Sequence, residues 1–194
     1  VNGDGVVMQF TRTGDKGDQG VPGPSAHCIL LGTATVGAAV ANIDFLSLFS
    51  GAYDKYVIEI QGVKPSAASN YLVGRFANGG VVDTTSSYAT VYDADEALDQ
   101  FGATLSLFQI TPTIDVGAGL GGATVSIELR NANSVGLKAG RISGVFQNAA
   151  NTYSRSNSSL LYTKASAASG FRLYWANGAN FVSGTVLVYG FKNS

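Results

Sequence analysis

The chain has 194 residues, 45% of them apolar and only 13% charged, about half the usual charged share of ~25%. Twelve Lys and Arg against thirteen Asp and Glu leave a formal net charge of −1, and a sequence-blind phosphate binder needs a strongly positive face, so nucleic acid is excluded as the expected partner. One cysteine, Cys28, excludes an internal disulfide, and one histidine, His27, excludes a His-rich metal site, which removes most nucleophilic-triad and zinc-hydrolase chemistry. The apolar share can bury the core of one domain with a short extra element beside it.

Residues 1–13 (VNGDGVVMQFTRT) carry Val6, Val7, Met8 and Phe10 and read as the end of an upstream segment. The chain opens on Val1 and has no basic region ahead of an early apolar run, so it is expected to belong to a longer chain and to carry no secretory leader.

Residues 14–25 form four Gly-X-Y triplets, with Gly14, Gly17, Gly20 and Gly23 at every third place. Three polyproline-like strands wind together only with glycine at every third position, because no side chain fits on their shared axis. Pro22 at a Y position and Pro24 at an X position suit the fixed φ of such a strand. Lys16 at Y, followed by Asp18 at X, would pair between staggered chains; each exposed pair contributes about 0–1 kcal/mol. The expected structure is a collagen-like homotrimeric neck, with a Gly/Asp turn cluster in a monomer as the competing reading. Twelve residues at ~3.1 Å each make a rod of ~37 Å, too short to hold together without a trimeric neighbour.

From residue 26 to 194 the pattern is short strands between turns, with no sustained helical stripe. The least polar stretch, Cys28–Ile43, is about 16 residues and broken by Gly32, Thr33, Thr35 and Gly37. A membrane-spanning helix needs ~20 apolar residues, so no membrane insertion is expected. Tyr56, Ile58 and Ile60 alternate with Val57 and Glu59; Val125, Ile127 and Leu129 with Ser126 and Glu128; Phe171, Leu173 and Trp175 with Arg172 and Tyr174. Val186 and Val188 oppose Leu187, Tyr189 and Phe191, predicting a final strand covered on both faces. Further strands are predicted at Cys28–Leu31, Asp44–Leu48, Tyr71–Phe76, Tyr88–Tyr92, Thr104–Ile110, Arg141–Gln147 and Leu160–Thr163, and at most one helical turn at Asp95–Gln100. Turns are predicted at Asn78-Gly79-Gly80, Gly117–Gly122, Asn131–Asn133, Asn148–Asn151 and Asn177-Gly178. Eight to ten strands in ~165 residues predict an all-β antiparallel β-sandwich or jelly-roll-like head.

Catalytic and metal patterns are weak. Asp93, Asp95, Glu96 and Asp99 offer hard oxygens, but a Ca²⁺ loop counted from Asp93 would need Gly and Glu where Leu98 and Thr104 stand. These acids and Asp115 match a glycosidase pair by residue type only. His27 and Cys28 are neighbours that a strand would point to opposite faces. Gly117–Gly122 lacks the Lys-Ser/Thr of a phosphate loop. No cofactor, metal or catalytic residue is expected. Sugar recognition calls for flat aromatic faces beside amides and charges, and Tyr88, Tyr92, Asp93, Tyr153, Arg155 and Asn157 are the candidates for it.

Two stretches, YDKYVIEIQGVKPSAASNYLVGRFANGG (Tyr53–Gly80) and SGFRLYWANGANFVSGTVLVYGF (Ser169–Phe191), resemble the C-terminal receptor-binding heads of tailed-bacteriophage tail fibres. The shared features are the Tyr-x-x-Tyr strand, the Val-Lys-Pro turn, an Arg-Phe strand ending in Gly-Gly and a closing Ser-Gly-Thr-x-x-x-Tyr-Gly. They are packing and turn features: Gly79-Gly80 permit a hairpin turn, Pro65 ends a strand, Gly190 admits a neighbouring backbone or ring, and Tyr56 and Tyr189 read as core or interface aromatics with a wet hydroxyl. The resemblance implies a non-enzymatic trimeric head on a virion tail fibre, joined to an upstream fibre or baseplate region. Such a head binds a host bacterial surface polysaccharide or protein. A trimerisation or capping module with no receptor site, and a collagen-tailed trimeric jelly-roll adhesin, are the alternatives.

Overall fold

A computed structural model of the protein describes residues 28–94, 97–114, 122–148, 150 and 152–192. The triplet segment with Gly14, Lys16, Gly17, Asp18, Gly20 and Gly23, together with His27, Asp95, Glu96, Asp115 and most of the Gly117–Gly122 turn, lies outside the described residues.

Thirteen strands are described, with no helix among these residues: β1 (Cys28–Thr35), β2 (Asn42–Phe45), β3 (Lys55–Pro65), β4 (Asn70–Asn78), β5 (Val81–Val82), β6 (Tyr88–Ala94), β7 (Ala97–Leu105), β8 (Phe108–Ile114), β9 (Ala123–Arg130), β10 (Lys138–Gln147), β11 (Tyr153–Tyr162), β12 (Gly170–Trp175) and β13 (Phe181–Phe191). They form two antiparallel sheets. The larger runs β1-β13-β3-β9-β10-β11-β6-β7; the smaller runs β2-β12-β4-β5, with β8 pairing the other end of the same edge of β4. One hydrophobic cluster draws on both sheets, an arrangement consistent with the expected β-sandwich.

Period-two alternation makes this core. Tyr56, Ile58 and Ile60 from β3, Val125, Ile127 and Leu129 from β9, and Val186 and Val188 from β13 are all buried, while the residues between them are not. From the smaller sheet come Ile43, Phe45, Leu72, Phe76, Phe108, Phe171, Leu173 and Trp175. Phe76 lies at the centre of the aromatic packing, its ring centroid 4.8 Å from Tyr162, 5.2 Å from Phe108 and 6.1 Å from Tyr88. Gly74 makes room for this: a Cβ there would stand 2.2 Å from the Phe108 ring.

The predicted turn at Asn78-Gly79-Gly80 joins β4 to β5, with both glycines at positive φ (57° and 83°), as a hairpin turn of matching twist requires. Gly190 admits a ring as expected; a Cβ there would lie 2.6 Å from Tyr53. Pro65 is the last residue of β3.

Other expectations are corrected. Thr104–Ile110 is not one strand: the chain turns at Ser106 and Leu107, leaving β7 in the larger sheet and β8 in the smaller. Arg75 Nε donates to the Ser106 carbonyl (2.9 Å), fastening that crossover. Ala97–Gln100 is strand, not a helical turn, because pairing with β6 satisfies its backbone groups, whereas one isolated turn of helix fixes many dihedrals for very few hydrogen bonds. The Tyr56 hydroxyl is not wet: it donates to the Ser50 carbonyl and accepts from the Ser50 amide, both at 2.7 Å. The last strand is fully covered on one face only; Leu187, Tyr189 and Phe191 stay half-exposed on the other.

Candidate functional site

Tyr88 is a candidate binding residue that the structure removes. Its side chain is 1% exposed, within the aromatic core. The hydroxyl donates to the Asp83 carbonyl (3.2 Å) and accepts from the Phe76 amide (2.8 Å), and burial pushes its pKa far above the usual tyrosine range. No face is left for a ligand.

Beside it lies a buried polar cluster. Tyr162 donates to Asp83 Oδ2 (2.6 Å), and Thr85 gives both its hydroxyl (2.7 Å) and its amide (3.0 Å) to Oδ1. Lys164 Nζ stands 3.0 Å from the same oxygen. Burial alone would raise the Asp83 pKa; the bonds from Tyr162, Thr85 and Lys164 outweigh it and hold the carboxyl at about 2. Burial, aided by the bond to Asp83, raises the Tyr162 hydroxyl. Lys138 is fully buried, donates to the carbonyls of Lys164 (2.6 Å) and Ser166 (2.5 Å), and is pushed below the usual lysine range by desolvation. These partners are local loop and core groups, so the cluster ties the segment after β11 to the sandwich.

Tyr153, Arg155 and Asn157 gather on the outer face of β11, beside β9 and β10. Alternation along β11 sends Ser156, Ser158 and Leu160 inward and leaves Tyr153, Arg155, Asn157 and Ser159 on the other side. Tyr153 is 72% exposed, Arg155 exposed and Asn157 half-buried; Arg155 and Asn157 each already have an interaction partner. Register completes the rows. Tyr153 is opposite Gln147, Arg155 opposite Val145, Asn157 between Ser143 and Asp93, and Ser159 opposite Arg141, which in turn faces Glu128. Tyr92 pairs with Ser158 in the backbone register. Tyr153, Arg155 and Asn157 therefore share one face of β11, and backbone register sets Asn157 beside Asp93 from a distant part of the chain.

At the end of the patch is a shallow depression of about 360 Å³ lined by Glu128, Arg130, Ala139, Gly140, Arg141, Ser159, Leu160 and Leu161, within the usual size range of small-ligand sites. Glu128 accepts from Arg130 Nη2 (2.9 Å) and lies 3.6 Å from Lys55 Nζ, and Ser126 donates to Glu59 (2.7 Å). Lys55 and Arg130 thus converge on Glu128, and Arg141 stands opposite Glu128 in the register. Arg130, Arg141, Glu128 and Ser159 are absent from the predicted set. Their alternation was visible, but only register shows that they adjoin Arg155 and Asn157.

A second depression, also about 360 Å³, lies under the β1–β2 connection between Ala34 and Asp44. Its lining is mostly aliphatic, and the Asp44 carboxylate is taken up by Arg172 at 2.6 and 2.7 Å. Among the described residues no three His, Cys, Asp or Glu side chains gather as a metal site would require.

No protein-family model, no curated protein and no solved structure matches this chain. The chemistry of the site therefore rests on its own geometry.

Proposed function

We propose that this chain is the trimeric head of an attachment fibre, of the kind found at tailed-phage receptor-binding tips, and that it binds a host-surface glycan or protein without catalysis. The observation that carries the reading is the order along the chain. Four Gly-X-Y triplets end at Ser25, and only Ala26 and His27 separate them from the edge strand of an all-β head. Glycine at every third place serves strands that crowd around one axis, and a short triple helix needs a trimeric neighbour to overcome its ordering entropy.

The β9–β11 face supports recognition of a polysaccharide. Tyr153 offers an exposed ring, Ser143, Asn157 and Ser159 offer hydrogen-bonding groups, and Arg130 and Arg141 border the depression. Arginine fits the carboxylate or phosphate of an acidic sugar by paired donors. Three linked sites make weak single-site binding useful through effective concentration.

The test uses the full chain. Sedimentation should give three copies of 20.0 kDa, about 60 kDa, and a fluorescent form should bind an array of bacterial surface polysaccharides. Tyr153→Ala with Arg141→Ala should lower bound signal at least tenfold. A 20.0 kDa monomer, or binding indifferent to both substitutions, overturns the reading.

A further inference from the structure

The outer face of the larger sheet has two unlike halves. Over β9–β11 it is polar. Over β1, β13 and β3 it carries an apolar strip bordered on β3 by Lys55 and Glu59: register sets Leu30 beside Tyr189 and Tyr189 beside Val57, with Leu187 and Phe191 on either side along β13. Leu30 is 52% exposed, and Val57, Leu187, Tyr189 and Phe191 are half-exposed. Lys55 Nζ lies 4.5 Å from the Phe191 ring centroid, and Leu30, Val57, Leu187 and Tyr189 keep the rest of the strip open, although the two apolar rows of β13 predict a strand buried on both faces.

Resting on the trimeric reading above, we infer that this strip is where the heads of three copies meet. The occupant is a second copy of the same chain, and connectivity selects it. From Ser25 to Cys28 there are three Cα steps, which span at most ~11 Å. If three chains are in contact at Ser25, roughly 5 Å apart, their Cys28 Cα atoms lie within about 27 Å of one another. Cys28 pairs with Phe191 and so stands at one end of the apolar strip. The neck therefore brings the Cys28–Phe191 end of the strip near the threefold axis, whereas the polar half begins three strands away at β9. Symmetry decides how it is used. Joining β1 to its own copy edge to edge in antiparallel fashion needs a twofold axis, so three copies bury faces and leave β1 an edge. The polar β9–β11 patch remains outward on each copy, where a surface glycan can reach it.

Cys28 is exposed and is the chain's one cysteine, so a nitroxide can be attached there without mutation. Sedimentation of the labelled full chain comes first. In the trimer, dipolar spectroscopy should give one short distance between Cys28 labels. The same label at Val81→Cys in a Cys28→Ser chain, on the exposed β5 of the other sheet, should give clearly longer distances. Leu30→Glu should raise the concentration at which the trimer dissociates at least tenfold, while Val145→Glu should leave it unchanged. A trimer whose Cys28 labels are as far apart as those at 81, or which tolerates Leu30→Glu, overturns this inference and leaves the attachment-head reading standing. A monomer overturns both.

Discussion

Asp83→Asn tests whether the buried polar cluster is held together by charge. In the folded protein four bonds converge on this carboxylate, from Tyr162, the Thr85 hydroxyl and amide, and Lys164, and they hold its pKa at about 2 against the ordinary aspartate value of 3.8. That gap of about 1.8 pH units corresponds to about 2.5 kcal/mol. Because the folded value is the lower one, the unfolded chain binds more protons in the window between them. The carboxylate thus stabilises the fold fully above pH ~5, and that stabilisation is lost as pH falls through ~4 toward ~2. Asparagine keeps the shape and removes the charge, so the variant should be about 2–3 kcal/mol less stable than the parent at pH ~7, and the two should converge near pH ~2. Urea unfolding of both proteins across this range reads the difference, at one fixed protein concentration since association shifts apparent stability. A penalty of the same size at pH ~2.5 and pH ~7, or one below ~0.5 kcal/mol at neutral pH, would refute the charge-based account.

Other perturbations separate core from surface. Phe76→Ala removes a fully buried ring from its packing with four other aromatics, Phe49, Tyr88, Phe108 and Tyr162, and should cost about 3–5 kcal/mol in denaturant unfolding. Gly170→Ala should give little or no soluble folded protein, since its Cβ would fall 1.8 Å from the Phe45 carbonyl oxygen; Gly37→Ala, with nothing within 4 Å, should leave stability unchanged or raise it by up to ~1 kcal/mol. Tyr153→Ala alone should stay within ~0.5 kcal/mol of the parent, because the ring is 72% exposed, yet lower glycan-array signal; a large loss of stability would mean the ring packs against something. On the proposed trimeric reading, Gly17→Ala in the full chain should lower the temperature of trimer dissociation, monitored by light scattering, because a collagen-like axis would leave no room for a methyl group.

The sequence by itself determined the strand class and the composition of the core. Alternation in Tyr56–Ile60, Val125–Leu129 and Phe171–Trp175 is a local property of consecutive residues, and a strand's faces follow from it directly. The turn at Gly79-Gly80 was legible for the same reason, since the demand for positive φ is made by the backbone of those two residues alone. Tertiary structure decided which strands are neighbours, and with that the site. Tyr88 and Tyr153 look alike in sequence, each an aromatic at the head of a polar strand. Pairing of β6 beside β11 turned Tyr88 toward Phe76 and Tyr162, whereas Tyr153 faces outward from β11 beside the polar rows of β10. The split of residues 97–114 between two sheets was equally out of reach, because β7 folds back on its chain neighbour β6 while β8 joins β4 from tens of residues earlier in the chain. Periodicity is written in neighbouring residues, but register and burial are set by partners tens of residues distant, and only the folded chain brings those partners together.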